Sequence, residues 1–303
     1  MSATRLLILG SGGQLGAELA RHFVAVAHPQ RKAWSVTTLS RAQLDFTDAA
    51  ALREAVRHHA PQILINAAAY TAVDRAQSEP ELAHAVNAAA PGILAEEMAR
   101  LGGWLLHYST DYVFDGSGTR PWRESDPTAP LNVYGASKLA GERAIVATSA
   151  QHLIFRTSWV YAAEGRNFLH TMLRLGRERG ALSIVSDQHG APTTAEALAA
   201  ATADLAARLG EGFVPHSGVY HMACAGETTW FGFAEAIFAA FAAQQQPPAL
   251  TPILTADYPT PARRPLNSRL DGSLLADAHD LRLPDWRDAF ASVTAALLAR
   301  HNH

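Results

Sequence analysis

The sequence predicts an α/β protein built on a doubly wound parallel sheet, followed by a smaller C-terminal domain. Three observations predict it. Short runs such as Arg5–Leu9, apolar from Leu6 onward, and the fully apolar Ile63-Leu64-Ile65 read as strands buried on both faces. These runs alternate with helical stretches through about residue 160, the pattern of a parallel sheet covered on both sides. The first run also leads into Gly10-Ser11-Gly12-Gly13-Gln14-Leu15-Gly16 and then a helical pattern of Leu15, Leu19 and Phe23. Strand, glycine turn and helix in that order form a dinucleotide-binding context of Rossmann type.

Composition bounds the rest. At 303 residues, with 48% hydrophobic and 17% charged residues, the chain can bury a substantial core. A net charge of −3 provides no basic field for nucleic acid and no polybasic membrane patch. The single Cys224 rules out a disulfide framework and suits a reducing cytoplasm. The apolar run Leu6–Leu9 is too short for a signal-peptide core, and no segment approaches the roughly 18 apolar residues of a membrane helix. The 14 histidines show no metal-ligand spacing.

In the glycine turn the spacing is Gly10-x-x-Gly13-x-x-Gly16, one residue wider than the common form. Gly10 would make the tight turn, Gly13 would let backbone approach a pyrophosphate, and Gly16 would allow close helix–strand packing. Gln14 and Leu15 open the helix whose N-terminus would receive the phosphates. Trp34–Leu39 reads as the second strand and ends at Ser40-Arg41. A basic residue here accommodates the 2′-phosphate of NADP, so Arg41 tilts the choice towards NADPH. Asp45 and Phe46 follow on the same cofactor-facing loop, and Asp48 suits the N-cap of a helix running to His59.

The strand Ile63–Ile65 ends in Asn66-Ala67-Ala68-Ala69. Small residues at a strand's carboxyl end let a flat ligand lie against the backbone, where open α/β sheets bind ligands. Asn87, in a helical stretch beginning near Glu81, is placed to brace that strand end or to lie on the surface. The strand Trp104–Ser109 delivers Thr110 and Asp111 to the same edge, and a helix from Tyr134 follows. Tyr134 and Lys138 stand one turn apart on one helix face. A cation beside a phenol favours the phenolate, which would bring the Tyr134 pKa down from its usual value of about 10. Lys occurs only at 32 and 138, with Arg supplying the other basic residues. Retaining a compact, tunable ammonium at 138 points to a task that Arg performs badly.

Leu153–Arg156 is the next strand, followed by Thr157-Ser158-Trp159-Val160-Tyr161, where a sugar or base could stack. Helices are expected over Asn167–Arg179 and Thr194–Leu209, and Gly218–Met222 is strand-like and able to rejoin the sheet. Tyr258–Arg269 is irregular and carries Arg263, Arg264 and Arg269. Three arginines in a negatively charged chain suggest a diphosphate-like anion. The bland alternative is arginines that cap helices or pair with Asp257 and Asp271.

With the glycine motif, Asn66-Ala67-Ala68, Ser109-Thr110-Asp111 and Tyr134-x-x-x-Lys138 in this order, the chain resembles the extended short-chain dehydrogenase/reductase family. Within it, the resemblance is to the reductases of dTDP-linked 4-keto sugars. It is carried by Asn66–Asp74, His107–Phe114, Pro130–Lys138, Phe155–Tyr161, Asp187–Thr193 and Tyr258–Arg269, which together span nearly the whole chain. It implies NAD(P)H-dependent reduction at C4 of dTDP-4-dehydro-L-rhamnose, giving dTDP-L-rhamnose. Tyr134 would be the proton donor, Thr110 would hold the carbonyl oxygen, and Lys138 would tune Tyr134 and hold the nicotinamide ribose. Ala67, Ala68 and Ala69 would line the cofactor. Val73, Asp111, Tyr112, Trp159, Arg264 and Asn267 would face the substrate. Dehydratases of this family carry an acid directly after the Asp, so Tyr112 implies reduction over elimination.

The resemblance also implies a nucleotide-binding domain of residues 1–160 plus about 193–222, and a sugar-nucleotide domain of about 161–192 and 223–303. Some relatives bind Mg2+ at a homodimer contact. Glu196 is a candidate remnant of such a site, but Ala200 and neighbouring alanines give it little acidic company, and a metal is not favoured. Two rivals share this pattern: another sugar-nucleotide 4-ketoreductase or epimerase, and a catalytically silent regulatory subunit on the same fold. The second needs no intact proton donor.

Overall fold

The computed structural model describes residues 3–25 and 34–301. Six strands, β1 (Thr4–Leu9), β2 (Trp34–Leu39), β3 (Ile63–Asn66), β4 (Trp104–Thr110), β5 (Gln151–Thr157) and β6 (Gly218–His221), form one sheet in the order β2-β1-β3-β4-β5-β6. Every pairing in it is parallel. The chain leaves β1 towards β2 and then crosses back to β3, so strand order reverses between β1 and β3. Loops following those two strands diverge there and open a crevice at their carboxyl ends.

Alternation along β1 explains its unbroken apolar run. Leu6 and Ile8 pack on one face with Leu15, Leu19 and Phe23 of α1 (Gln14–Ala25), joined by the Ala-rich Ala195–Gly210 helix. Leu7 and Leu9 pack on the other face with Leu52 and Val56 of α2 (Ala49–His59) and Leu94 and Met98 of α3 (Ala90–Leu101). A strand covered on both sides has no polar face to alternate with. The sheet is thus doubly wound, as expected. Asp48 caps α2, its Oδ1 accepting from the N–H groups of Ala50 and Ala51 at 2.9 and 3.0 Å.

Helix α4 (Val133–Val146) begins beside β4 and carries Tyr134 and Lys138. Its start is set by Asn132, whose Oδ1 accepts from Gly135 N–H at 2.8 Å while its Nδ2 donates to the Arg263 carbonyl at 2.8 Å. One side chain therefore caps the helix and ties it to the 258–269 segment. Asn132→Ala is expected to cost about 1 kcal/mol, the usual value of an N-cap, read as a lower urea midpoint with an unchanged slope. Before α4, Pro80–His84 runs into a π-helical turn at Ala85–Ala89.

Beyond the main sheet, Ala181–Val185 pairs in parallel with Ala249–Ile253. The sequence reading does not name these two strands. Their burial is partial, and Pro252 interrupts the second one, so neither carries the unbroken apolar signal of β1. Helices Phe168–Glu178 and Trp230–Ala240 pack beside this pair, and the C-terminal helix Trp286–His301 adds Trp286, Phe290 and Val293 to the same core. Among the described residues, no helix is long and apolar enough to cross a membrane.

Candidate active site

The three glycines of the turn after β1 have distinct surroundings. Gly10 has φ +86°, and a Cβ added there would lie 2.6 Å from the backbone nitrogen of Ala68. A Cβ on Gly16 would lie 2.1 Å from the Gly10 carbonyl oxygen. On Gly13 the nearest atom would be the Gly10 oxygen at 3.4 Å, an ordinary approach. The protein itself thus forbids side chains at Gly10 and Gly16, while Gly13 is exposed just before α1, its N–H donating to the Gly10 carbonyl at 2.9 Å. Gly16→Ala is expected to displace the turn and weaken nicotinamide-dinucleotide binding by at least tenfold, about 1.4 kcal/mol, measured by cofactor fluorescence titration.

Around the turn, the other expected cofactor residues divide. Gln14 is engaged within the protein: its Oε1 accepts from Ala162 N–H at 3.1 Å and Asn167 Nδ2 at 2.8 Å, tying the turn to the 162–167 loop. Leu15 is a core residue. Arg41 is exposed at the carboxyl end of β2. Asp45 lies nearby, its carboxyl held below the usual range first by the backbone and hydroxyl of Thr47 and also by the Arg41 charge. Phe46 is buried beneath it. Ala67, Ala68 and Ala69 form the facing wall after β3. Asn87, nearly inaccessible, braces that wall: its Oδ1 accepts from Tyr70 N–H at 2.8 Å, and its Nδ2 donates to the Tyr70 carbonyl at 3.1 Å and to Ser137 Oγ at 3.0 Å. The π-helical turn holds it there, with its carbonyl so close to α4 that a Cβ on Gly141 would meet it at 2.0 Å.

On the other side of the crevice, β4 ends in Thr110 and a short 3-10 turn, Asp111–Val113. Thr110 Oγ1 donates to Asp111 Oδ1 at 3.0 Å and accepts from Tyr112 N–H at 3.2 Å, which fixes its rotamer. The Tyr112 and Tyr134 rings meet edge to face, with centroids 5.5 Å apart. Burial pushes the Tyr134 phenol above its ordinary range, opposed by a hydrogen bond with Thr110 and reinforced by Asp111 and Tyr112. This reverses the direction expected from sequence. Lys138 is nearly inaccessible, and its Nζ donates to the Tyr108 carbonyl at 2.6 Å. Burial brings Lys138 down to about 8, with Glu142 pulling the other way. Burial also pushes the Asp111 carboxyl up to about 6, against the Ser268 and Thr110 hydroxyls.

A glycine turn, an alanine wall and a Thr–Tyr–Lys cluster thus share one crevice. Residues 4–299 match the family described as RmlD substrate binding domain. The chain belongs to that family. It is 45% identical to a dTDP-4-dehydrorhamnose reductase of Burkholderia thailandensis, over 98% of this chain and 100% of that one. It is 46% identical to one of Escherichia coli, over 93% and 94%. Among solved structures, a dTDP-4-dehydrorhamnose reductase of Bacillus anthracis in complex with NADP superposes with TM-score 0.86 at 32% identity, covering 99% of this chain and 100% of that one. A Clostridium acetobutylicum ortholog gives 0.88 at 31%, covering 97% and 100%.

Towards the outer rim, this member of the family differs from the picture of a three-arginine anion site. Arg264 donates to Asp74 Oδ2 at 2.7 Å and to the Tyr112 hydroxyl at 3.2 Å. Arg269 pairs with Glu227 at 2.9 Å. Neither partner is Asp257 or Asp271 of the alternative reading: Asp257 accepts from Leu254 N–H and Asp271 pairs with Arg123. Arg263 is exposed. Asn267 is buried with its amide spent within the protein, on the Ser117 and Arg120 carbonyls and on Arg269, so its side chain braces the loop. Val73 begins a single helical turn, Val73–Ala76, next to Asp74.

Trp159 adopts φ +50° and stacks on Trp230, centroids 3.7 Å apart. A Cβ on Gly190 would come within 2.7 Å of the Trp159 ring, so only glycine seats it. Sequence reasoning missed Trp230, whose helix lies far along the chain. It also missed the buried pair of Glu142 with Arg156 at 2.7 Å. Regarding Glu196, no group of three or more metal-ligating side chains gathers among the described residues.

Proposed function

We infer that this chain reduces the C4 ketone of dTDP-4-dehydro-L-rhamnose with NAD(P)H to give dTDP-L-rhamnose, the last step of dTDP-rhamnose biosynthesis. The observation that carries the reading is the convergence of Thr110 and Tyr134 on the crevice behind the glycine turn, in a chain that matches reductases of that name end to end.

A nicotinamide dinucleotide suits the exposed, side-chain-free surface at Gly13, the fixed turn at Gly10 and Gly16, and the flat wall Ala67–Ala69. When bound it supplies the hydride. Gln14 and Leu15 would present the first helical turn to its phosphates, and Arg41, Asp45 and Phe46 would receive its adenosine end. Arg41 supports NADPH, with NADH accepted as well.

Tyr134, and Thr110 once its hydroxyl proton turns from Asp111 to the substrate, hydrogen-bond the ketone oxygen and stabilise the negative charge that develops on it. Tyr134 then gives up its phenolic proton. Its raised pKa suits this task. The alkoxide left by hydride transfer is a strong base that can take a proton from a phenol, and a raised pKa keeps Tyr134 protonated at working pH. Lys138, one turn away, offsets the charge left on Tyr134. Val73, Asp111, Tyr112, Trp159 and Arg264 face the sugar nucleotide, with Asn267 holding the loop behind them. Arg264 binds the Tyr112 hydroxyl where a dehydratase carries an acid, which favours reduction over elimination.

In this reading residues 1–160 with about 193–222 bind the cofactor, and about 161–192 with 223–303 bind the sugar nucleotide. The reaction takes place in the cytoplasm, and a homodimer belongs to the same proposal. Purified protein should oxidise NADPH only while the keto sugar lasts, leaving dTDP-L-rhamnose as product. Binding of cofactor without oxidation would sink the substrate assignment and favour the silent subunit.

A further inference from the structure

The chemistry above leaves one buried group beside the site without a task. His107 lies on β4, fully buried, between Asn66 on β3 and Lys138 on α4. Asn66 Nδ2 is 3.0 Å from His107 Nδ1, and Lys138 Nζ is 3.4 Å from His107 Nε2. The Asn66 amide is oriented by a separate contact, since its Oδ1 accepts from Ala68 N–H at 3.1 Å. Its Nδ2 must then donate to Nδ1, which makes Nδ1 an acceptor. Burial, together with the Lys138 charge, holds His107 well below its ordinary range, so the ring is neutral. Its one proton therefore sits on Nε2, facing Lys138.

An ammonium has no lone pair with which to accept that N–H, whereas a neutral amine has one. A neutral Lys138 could accept from His107 while still donating to the Tyr108 carbonyl. We propose that His107 is a positioning residue for proton transfer: its Nε2–H tautomer, held by Asn66, supports the uncharged form of Lys138 and so sets the pH at which the cation one helical turn from Tyr134 is lost. A lysine that releases its proton readily can return a spent Tyr134 to the phenol, and solvent then recharges the amine. This rests on the reductase reading of the site.

Other groups around Lys138 bear on its charge and are accounted for. On α4, Glu142 favours the cation but is itself bound by Arg156 of β5, and Tyr134 lies one turn back. From β4, the Tyr108 carbonyl accepts from the amine, and Asp111 lies further along beside Tyr134. Asn66 of β3 is neutral, and the neutral Asn87 side chain donates to Ser137 Oγ of α4 at 3.0 Å.

Two measurements test the proposal. In 15N-histidine spectra of the wild-type protein, the resonance lost in His107→Gln should show a protonated Nε2 and a bare Nδ1. In the pH profile of kcat/KM, the alkaline limb should move up by about one pH unit in His107→Gln, whose amide oxygen can accept from the ammonium. Asn66→Asp, which accepts from Nδ1–H and forces the opposite tautomer, should move the limb in the same direction. A ring protonated on Nδ1 in the wild type overturns the proposal, as does a uniform loss of activity with the limb unmoved. If the wild type does not turn over the keto sugar, the reductase reading fails, and the tautomer alone decides the role of His107.

Discussion

Tyr134→Phe is expected to lower kcat for keto-sugar reduction by roughly 10²–10⁴-fold, the span of a lost general acid, while cofactor affinity stays within a factor of two or so. The phenylalanine ring preserves the edge-to-face contact with Tyr112 and removes only the hydroxyl that Thr110 meets. The developing alkoxide then has Thr110 as its one hydroxyl donor and must take its proton from water. Single-turnover kinetics with pre-bound cofactor separate the two effects. Unchanged hydride transfer in this variant would show that another group supplies the proton.

Glu142→Gln is expected to cost stability rather than chemistry alone, by about 3–5 kcal/mol, the usual result of stripping one partner from a buried ion pair. Glu142 and Arg156 are each about 5% exposed in their side chains and meet through two hydrogen bonds of 2.7 and 3.0 Å. Ser109 Oγ adds a third to the same carboxylate at 2.5 Å. The amide would leave the Arg156 charge buried with no opposite charge, beneath the Phe114 ring that its guanidinium covers. Urea unfolding measures the loss. The double variant Glu142→Gln with Arg156→Met should recover part of it, because removing both charges costs less than stranding one. A single variant as stable as wild type would mean that the pair contributes nothing net.

The parts of this fold that could be read from sequence are those governed by local rules. Leu6–Leu9 is apolar throughout because both its faces are covered, and Gly10 and Gly16 are glycines because neighbouring backbone leaves no room for a Cβ. Tyr134 and Lys138 share a helix face by spacing alone. What stayed hidden depends on packing between distant segments. Arg264 and Arg269 find Asp74 and Glu227, some 190 and 42 residues away, and no local pattern selects those partners over Asp257 and Asp271. The direction of the Tyr134 shift differs from the sequence expectation for a related reason: spacing reveals the lysine one turn away, while the larger effect, burial, is a property of the assembled site. His107 carried no signal of its own. Its meaning comes from Asn66 on one side and Lys138 on the other, brought together by two adjacent strands and the helix that crosses them.

Hydride delivery to the sugar is tested most directly with NADPH deuterated at the transferring C4 position of the nicotinamide. After turnover on dTDP-4-dehydro-L-rhamnose, this mechanism predicts one deuterium at C4 of dTDP-L-rhamnose and none elsewhere in the sugar. Deuterium at another carbon, or product free of deuterium, would contradict it.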